Sequence, residues 1–411
     1  MILYYTGIYT KKENNKIGID NYKEVCMRYI GKSYPIHDAG SKAAGRAVYA
    51  GDMELKGMLH MALLFSTIPH GIVKHLDCSK ALALPGVVDV IHCFNTTEKE
   101  YNQYQTQFGQ DLVHTARIFN SHVRYVGDRI AGVIAETEAI ARKAVSLIEV
   151  EYEEMAYSLD MFDTLTGKID GIHETGAVFE GGEHVTKPEG EGLVEIHTAT
   201  DLSRINHICM ETHACVADYD RYGDELTVYS PNQTVYGIRT ILGDIFEMDY
   251  NRIRVIKTTM GGSFGGKQEW VLEPVAAAAA LRTGRPVKLV FNRSETMVST
   301  YSRAPMHFDA DFVFSEDGTL KGVDCDLLLD AGAYLGNSLN YARTVAHKLF
   351  RGYKYPYCRF HSRVALTNTI IGGAFRGWTS PEATIMFEHN MNMAARKLKM
   401  DPVDLRIKNV M

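Results

Sequence analysis

A glycine-rich stretch, Gly261-Gly262-Ser263-Phe264-Gly265-Gly266-Lys267-Gln268, lies between a strand-like run over residues 252–257 and a helix-like run over 270–281. Without a Cβ, glycines let backbone N–H groups approach an anion or a ligand oxygen closely, and a following helix N-terminus favours negative charge. Two chemistries use such a turn. One is a phosphate loop: residues 261–267 fit G-x-x-x-x-G-K, and Leu327-Leu328-Leu329-Asp330 offers an apolar strand ending in a carboxylate for a metal. That reading lacks one atom, because the residue after the lysine should bring a hydroxyl to Mg²⁺ and here it is the amide Gln268. The other chemistry is the floor of a larger cofactor site. There Phe264, set between glycines, can turn its N–H to a ligand oxygen while its ring anchors the turn. Gln233, closing Ser230-Pro231-Asn232-Gln233, brings a neutral amide that donates and accepts without changing the charge of a site. Its plain alternative is a strand-end residue capping the next helix.

These residues need a frame. Residues 1–29 are polar and aperiodic and read as a leader or peripheral segment. Residues 30–157 read as α/β, with short apolar runs at 58–65 and 87–94 and a βαβ-like passage of strand 130–135, helix 137–144 and strand 145–152. Residues 158–192 are rich in loop signals, among them Gly181-Gly182 and Pro188-Glu189-Gly190-Glu191-Gly192, and read as a linker. From 193 to 411 strands dominate. Turns at Asp220-Arg221-Tyr222-Gly223-Asp224 and Glu316-Asp317-Gly318 predict two hairpins, 214–230 and 308–329. Helices are expected at 235–246 and 381–398, the latter with Ser380 as N-cap, Pro381 in its first position and Glu382 in its first turn.

Composition excludes several classes. A chain of 411 residues with 45% hydrophobic and 23% charged residues is that of an ordinary globular protein with room for more than one domain. A formal charge of −6 gives no basic footprint, so no nucleic-acid partner is expected. No apolar run reaches a membrane span and no basic segment opens a secretory signal, so neither membrane nor export is expected. The seven cysteines are scattered, without C-x-x-C spacing, which suits free thiols in a reducing cytoplasm and offers no iron–sulfur or zinc ligand set.

A series of motifs then runs along the chain: Gly45-Arg46-Ala47-Val48-Tyr49-Ala50-Gly51-Asp52, Phe65-Ser66-Thr67-Ile68-Pro69-His70-Gly71, Val126-Gly127-Asp128-Arg129-Ile130-Ala131, Glu211-Thr212-His213 and Ser230 to Gln233. The glycine turn follows, then Asp330-Ala331-Gly332-Ala333-Tyr334, Ala374-Phe375-Arg376-Gly377 and Asp401-Pro402-Val403-Asp404-Leu405-Arg406 with Asn409. In order and extent, over about residues 30–411, the series resembles the molybdenum-cofactor subunit of the xanthine dehydrogenase and aldehyde oxidase family. The resemblance implies an α+β fold: a small α/β hammerhead-like domain over 30–157, then the first part of a mixed α/β molybdopterin-binding domain over 193–411. It implies hydroxylation of a carbon of an N-heterocycle or an aldehyde with oxygen from water. Molybdopterin, plain or as its cytosine dinucleotide, would carry the molybdenum, and electrons would leave through iron–sulfur clusters and FAD on partner subunits or domains.

The resemblance also assigns residues. Gln233 matches the glutamine beside the metal. Gly262, Ser263, Phe264 and Gly265 match one cofactor loop, and Arg376 and its neighbours match a second. Gln233, Phe264 and Arg376 surround the molybdenum, with no direct side-chain ligand expected. Trp378 stands where the family usually has a phenylalanine that packs on a flat substrate. Arg343 matches an arginine that stabilises charge developing on the ring, with Arg351 as competitor because the alignment needs a one-residue shift. Gln268 stands where purine oxidisers of the animal type have a glutamate, while Glu269, at the start of the helix, is expected to face elsewhere. The family's general base, a glutamate in a Gly-Glu motif near the end of the molybdopterin region, has no counterpart here. The resemblance therefore implies either a fragment or one subunit of a split enzyme, with a partner supplying the second molybdopterin-binding half and iron–sulfur and FAD subunits beside it, and no activity for the chain alone. A purine such as xanthine is the favoured substrate and nicotinate or another pyridine the alternative; a non-catalytic scaffold subunit is the alternative of another class.

Overall fold

A computed structural model describes residues 31–104, 114–168, 172–173, 176–182, 190–349 and 351–411. The leader expected at 1–29 lies outside these residues, as do parts of the expected linker. The chain divides into two units, Met1–Ala47 and Val48–Met411. Within the first, the described part carries the five-residue helix Ala39–Ala43, which buries no side chain.

In the second unit the strands run β1 (Leu59–Phe65), β2 (Gly71–Asp77), β3 (Val87–His92), β4 (His122–Val123), β5 (Arg129–Ala135) and β6 (Glu149–Glu154). Then come β7 (Val178–Gly182), β8 (Leu193–Leu202), β9 (Ala214–Asp220), β10 (Glu225–Ser230), β11 (Ile253–Lys257) and β12 (Val287–Val290). β13 (Tyr301–Ser302), β14 (Met306–Ser315), β15 (Leu320–Gly332), β16 (Tyr357–Leu366) and β17 (Ile371–Gly372) complete the set among the described residues. A seven-stranded sheet has the order β11-β10-β9-β12-β1-β5-β3, and a five-stranded sheet the order β7-β16-β15-β14-β8. The seven-stranded sheet is joined across the chain: β1 pairs in parallel with β12, Leu59 opposite Val287 and Met61 opposite Leu289. Both predicted hairpins form, β9 with β10 and β14 with β15.

The βαβ-like passage does not form one sheet. β5 is buried at all seven residues in the seven-stranded sheet, whereas β6 pairs with β2 in a separate three-stranded sheet. The residues explain the split. Arg-Ile-Ala-Gly-Val-Ile-Ala is an almost unbroken apolar run suited to an interior strand, while Glu149-Val150-Glu151-Tyr152-Glu153 alternates and has one face to bury. Part of the expected linker is also ordered: it holds the helix Met161–Leu165 and β7, which pairs with β16.

The helix after the glycine turn spans Glu273–Thr283 rather than starting at Trp270, with Pro274 in its first turn, where a missing N–H costs nothing. Its alanines are small enough to lie close on β9, and with Trp270, Ile238 and Leu242 they build the core under the seven-stranded sheet. A second core lies between the five-stranded sheet and the helix Ser380–Leu398, with Phe308, Phe312, Met386, Phe387 and Met391. Ser380 is inside that helix, not its cap. The cap position is Thr379, left-handed at φ 63° and without a side-chain capping bond. No described helix is long and apolar enough to cross a membrane.

Candidate functional site

The glycine turn is held from below by buried polar groups. Lys267 is 2% exposed, and its ammonium reaches Glu211 Oε2 at 2.6 Å. The same oxygen accepts the Gly261 N–H at 2.7 Å. His213 donates from Nε2 to the Gly266 carbonyl at 2.8 Å, and burial pushes its imidazole down to about 3, so it serves as a neutral donor. The Ser263 hydroxyl accepts the Lys267 N–H at 3.2 Å and donates to the Gln233 side-chain carbonyl. That takes the oxygen of the Gln233 amide, and Gln233 itself is exposed. Gln233 does not cap the next helix: the N-cap there is Thr234, which makes no side-chain capping bond, and Asn232 Oδ1 accepts from Thr234 N at 2.7 Å in the turn before it.

These clamps leave the upper rim of the turn open. The N–H groups of Gly262, Ser263, Phe264 and Gly265 make no hydrogen bond among the described residues. Phe264 itself is left-handed at φ 51° and half exposed.

A second loop comes up against the first. Gly265 has φ +100°, and a Cβ there would lie 2.5 Å from the Ala374 carbonyl, so the two backbones approach as only glycine allows. His207 bridges the same carbonyl, Nε2 to Ala374 O at 2.6 Å, and its ring lies 4.5 Å from that of Phe375. Arg303 stacks its guanidinium 4.3 Å over the Phe375 ring, donates to the Arg376 carbonyl at 2.7 Å and pairs with buried Glu382. The N–H groups of Phe375, Arg376 and Gly377 also make no hydrogen bond among the described residues. Gly377, Trp378 and Thr379 then run through three successive positive φ angles, a cost of order 1 kcal/mol or more for each non-glycine residue.

The expected residues therefore divide. Gln233, Gly262, Ser263, Phe264, Gly265, Arg376 and Trp378 come together on the two loops. Gln268 lies beside them, donating from Nε2 to the Tyr104 hydroxyl at 3.1 Å. Arg343 is exposed on the helix Ser338–Leu349, and Arg351 is exposed just after it. The residue of that helix that meets Trp378 is Tyr341, its ring edge-on at 5.6 Å. The phosphate-loop reading is overturned: Lys267 is neutralised by Glu211 beneath the turn, and Asp330 is taken by Arg204 at 2.9 Å and Thr367 at 2.7 Å.

Glu269, Tyr341, His207 and Arg303 were not singled out by the sequence as loop anchors. Glu269 carried a signal, an acid beside the apolar run from Trp270. The others act across long sequence separations that no local pattern reveals. Val126-Gly127-Asp128 and Asp330 to Tyr334 meet elsewhere, where the Tyr334 hydroxyl donates to buried Asp128 at 2.7 Å. A cavity of about 740 Å³ lined by Glu100, His122, Arg124 and His173, among others, shares no lining residue with either loop.

Residues 44–156 match the model of the aldehyde oxidase and xanthine dehydrogenase a/b hammerhead domain, and residues 178–410 that of the molybdopterin cofactor-binding domain. The chain is 30% identical to the xanthine dehydrogenase molybdenum-binding subunit of Escherichia coli O157:H7, over 90% of this chain and 50% of that protein. It is 30% identical to the nicotinate dehydrogenase large molybdopterin subunit of Eubacterium barkeri, over 92% of this chain and 89% of that subunit. Among solved structures, quinoline 2-oxidoreductase from Pseudomonas putida 86 superposes with a TM-score of 0.84 at 26% identity, covering 93% of this chain and 50% of the other. The chain thus spans about half the length of the xanthine dehydrogenase subunit and most of the nicotinate dehydrogenase one.

Proposed function

The chain belongs to the xanthine dehydrogenase and aldehyde oxidase family of molybdenum oxidoreductases, and from that premise we propose that it forms half of a site hydroxylating a planar N-heterocycle. The observation that carries this reading is the meeting of two loops whose successive N–H groups, at 262–265 and 375–377, have no partner in the described protein. Clustered unpaired donors favour electron-rich oxygens, the ligand type of a molybdenum–pterin group. The Gln233 NH₂ offers a further neutral donor, and the buried Nε1 of Trp378 is also without a partner. The residues present fit the group.

On this reading the backbone at Gly262 to Gly265 and at Phe375 to Gly377 holds the cofactor, with Gln233, Phe264 and Arg376 around the metal. When bound, the cofactor supplies the oxidation that delivers water's oxygen to a ring carbon and takes up two electrons. The protein's own part is to orient. Trp378 gives an aromatic face for the ring. Gln268, with its NH₂ on Tyr104, keeps a carbonyl acceptor for a ring N–H. Arg343 and Arg351 are both exposed and are not among the residues the two loops bring together, so the role of stabilising charge on the ring has no holder on the described loops.

Residues 30–157 and 193–411 are taken as the two domains, joined by 158–192, which lends β7 to the second. The partners are a second molybdopterin-binding half that brings the general base, and iron–sulfur and FAD subunits, in a cytoplasmic hetero-oligomer. A purine such as xanthine remains the first substrate, and purine catabolism the setting. Nicotinate is the second reading, favoured by the 89% coverage of the nicotinate dehydrogenase subunit. The cofactor is molybdopterin or its cytosine dinucleotide.

The test is to co-express the chain with the partner that completes the site, measure molybdenum and pterin, and assay purines against pyridines. A loaded, active complex is expected, and Gln268→Glu should change the purine-to-pyridine rate ratio about tenfold. An unchanged ratio removes Gln268 from the substrate site. A complex free of pterin and metal would support the scaffold reading instead.

A further inference from the structure

Glu269 follows the glycine turn by one residue and is 1% exposed. Its Oε1 accepts two hydrogen bonds, from the Tyr341 hydroxyl at 3.0 Å and from the Ala374 N–H at 2.8 Å. Its backbone carbonyl accepts from the Asn232 side chain at 3.1 Å. The stretch that carries Gln233, the glycine turn and the second loop are thus tied to one residue. The carboxyl has no ion-pair partner among the described residues, and its Oε2 is buried without a hydrogen bond. Its neighbours are the phenols of Tyr104, Tyr301 and Tyr341.

Burying an acid without a cation is costly, and an apolar residue of like shape would fill the space at less cost. What an apolar residue would lose is the grip on Ala374 and Tyr341. Ala374 opens the loop that carries Phe375, Arg376 and Trp378, and Tyr341 stands edge-on to the Trp378 ring. One carboxylate oxygen therefore fixes that loop at both of its ends.

We propose that Glu269 is a positioning residue, whose Oε1 holds the Ala374–Trp378 loop against the glycine turn and so sets the aromatic wall that a flat substrate meets. The substrate clause rests on the hydroxylase reading above; the grip on the loop does not.

The experiment uses the whole chain in a Trp270→Phe background, which leaves Trp378 as the only tryptophan of the two. Its emission maximum and acrylamide quenching report the wall, and trypsin cleavage after exposed Arg376 reports the loop. Glu269→Ala removes both hydrogen bonds and should red-shift the emission and speed cleavage at least about tenfold. Glu269→Gln, which keeps the acceptor, should restore both. If the alanine variant does not fold, Tyr341→Phe removes one of the two bonds without leaving a cavity, and should loosen Trp378 part of the way.

Unchanged emission and cleavage in the alanine or phenylalanine variant would overturn the assignment, as would a glutamine variant as loose as the alanine one. In the assembled complex Glu269→Ala should raise KM more than it lowers kcat. Loosened loop signals with an unmoved KM would instead sink the substrate reading and leave the grip on the loop standing.

Discussion

Lys267 shows how one side chain can carry opposite meanings. In sequence it completes a phosphate-loop spacing; in the fold its ammonium is sealed against Glu211, 56 residues upstream. An ion pair this buried contributes modestly when intact and costs heavily when halved, because the survivor keeps its charge without a partner. Lys267→Met or Glu211→Gln alone should destabilise the chain by about 3–5 kcal/mol, and the double variant should recover much of that loss. Urea titration of the four proteins checks this, and strict additivity would contradict it. Gln233 and Phe264 drew notice because each sits inside an ordered motif, and Trp378 because it directly follows one. Glu269 and Tyr341 were not, since a hydrogen bond spanning 72 residues leaves no trace in spacing.

Among the elements, the two loops depend on glycine to different degrees. Gly262 has φ +103° but its nearest neighbour to an added Cβ is Cys209 Cβ at 3.4 Å, so alanine there meets mainly backbone strain. At Gly265 the Cβ would also run into the Ala374 carbonyl at 2.5 Å. Gly262→Ala should therefore cost about 1 kcal/mol, and Gly265→Ala about 2–4 kcal/mol with loss of whatever the paired loops bind. Equal melting temperatures for the two variants would refute the contact between loops. The helices and hairpins on either side were legible from Pro, Gly and Asp at fixed positions. The start of the Ser380–Leu398 helix was not: Ser380 looks like a cap, but the left-handed run from Gly377 to Thr379 brings the chain in by another route.

Over the whole molecule, burial sets the response to acid. His173, 5% exposed, donates to the Ala333 carbonyl at 2.7 Å, and burial pushes its imidazole down to about 3. An unfolded histidine takes a proton below about pH 6.5, whereas folded His173 stays neutral until about pH 3, so acidification across that window favours the unfolded chain. Relative to His173→Gln, the wild type should lose roughly 1.5 kcal/mol between pH 6.5 and 5. Urea midpoints at the two pH values measure it, and parallel profiles would contradict it. The family and its two matched regions were legible, but the way the regions join was not. The βαβ-like passage carried no sign that β1 would pair with β12 from the second region. The parallel ladder between β1 and β12 has a consequence for synthesis. As the ribosome releases Leu59–Phe65, β5 can cover one side of that apolar strand early, but its other edge has no partner until Val287 emerges, more than two hundred residues later. For all that time the nascent chain displays an open strand edge, the feature most prone to pair with a stranger. A chaperone that meets this chain on the ribosome should bind there.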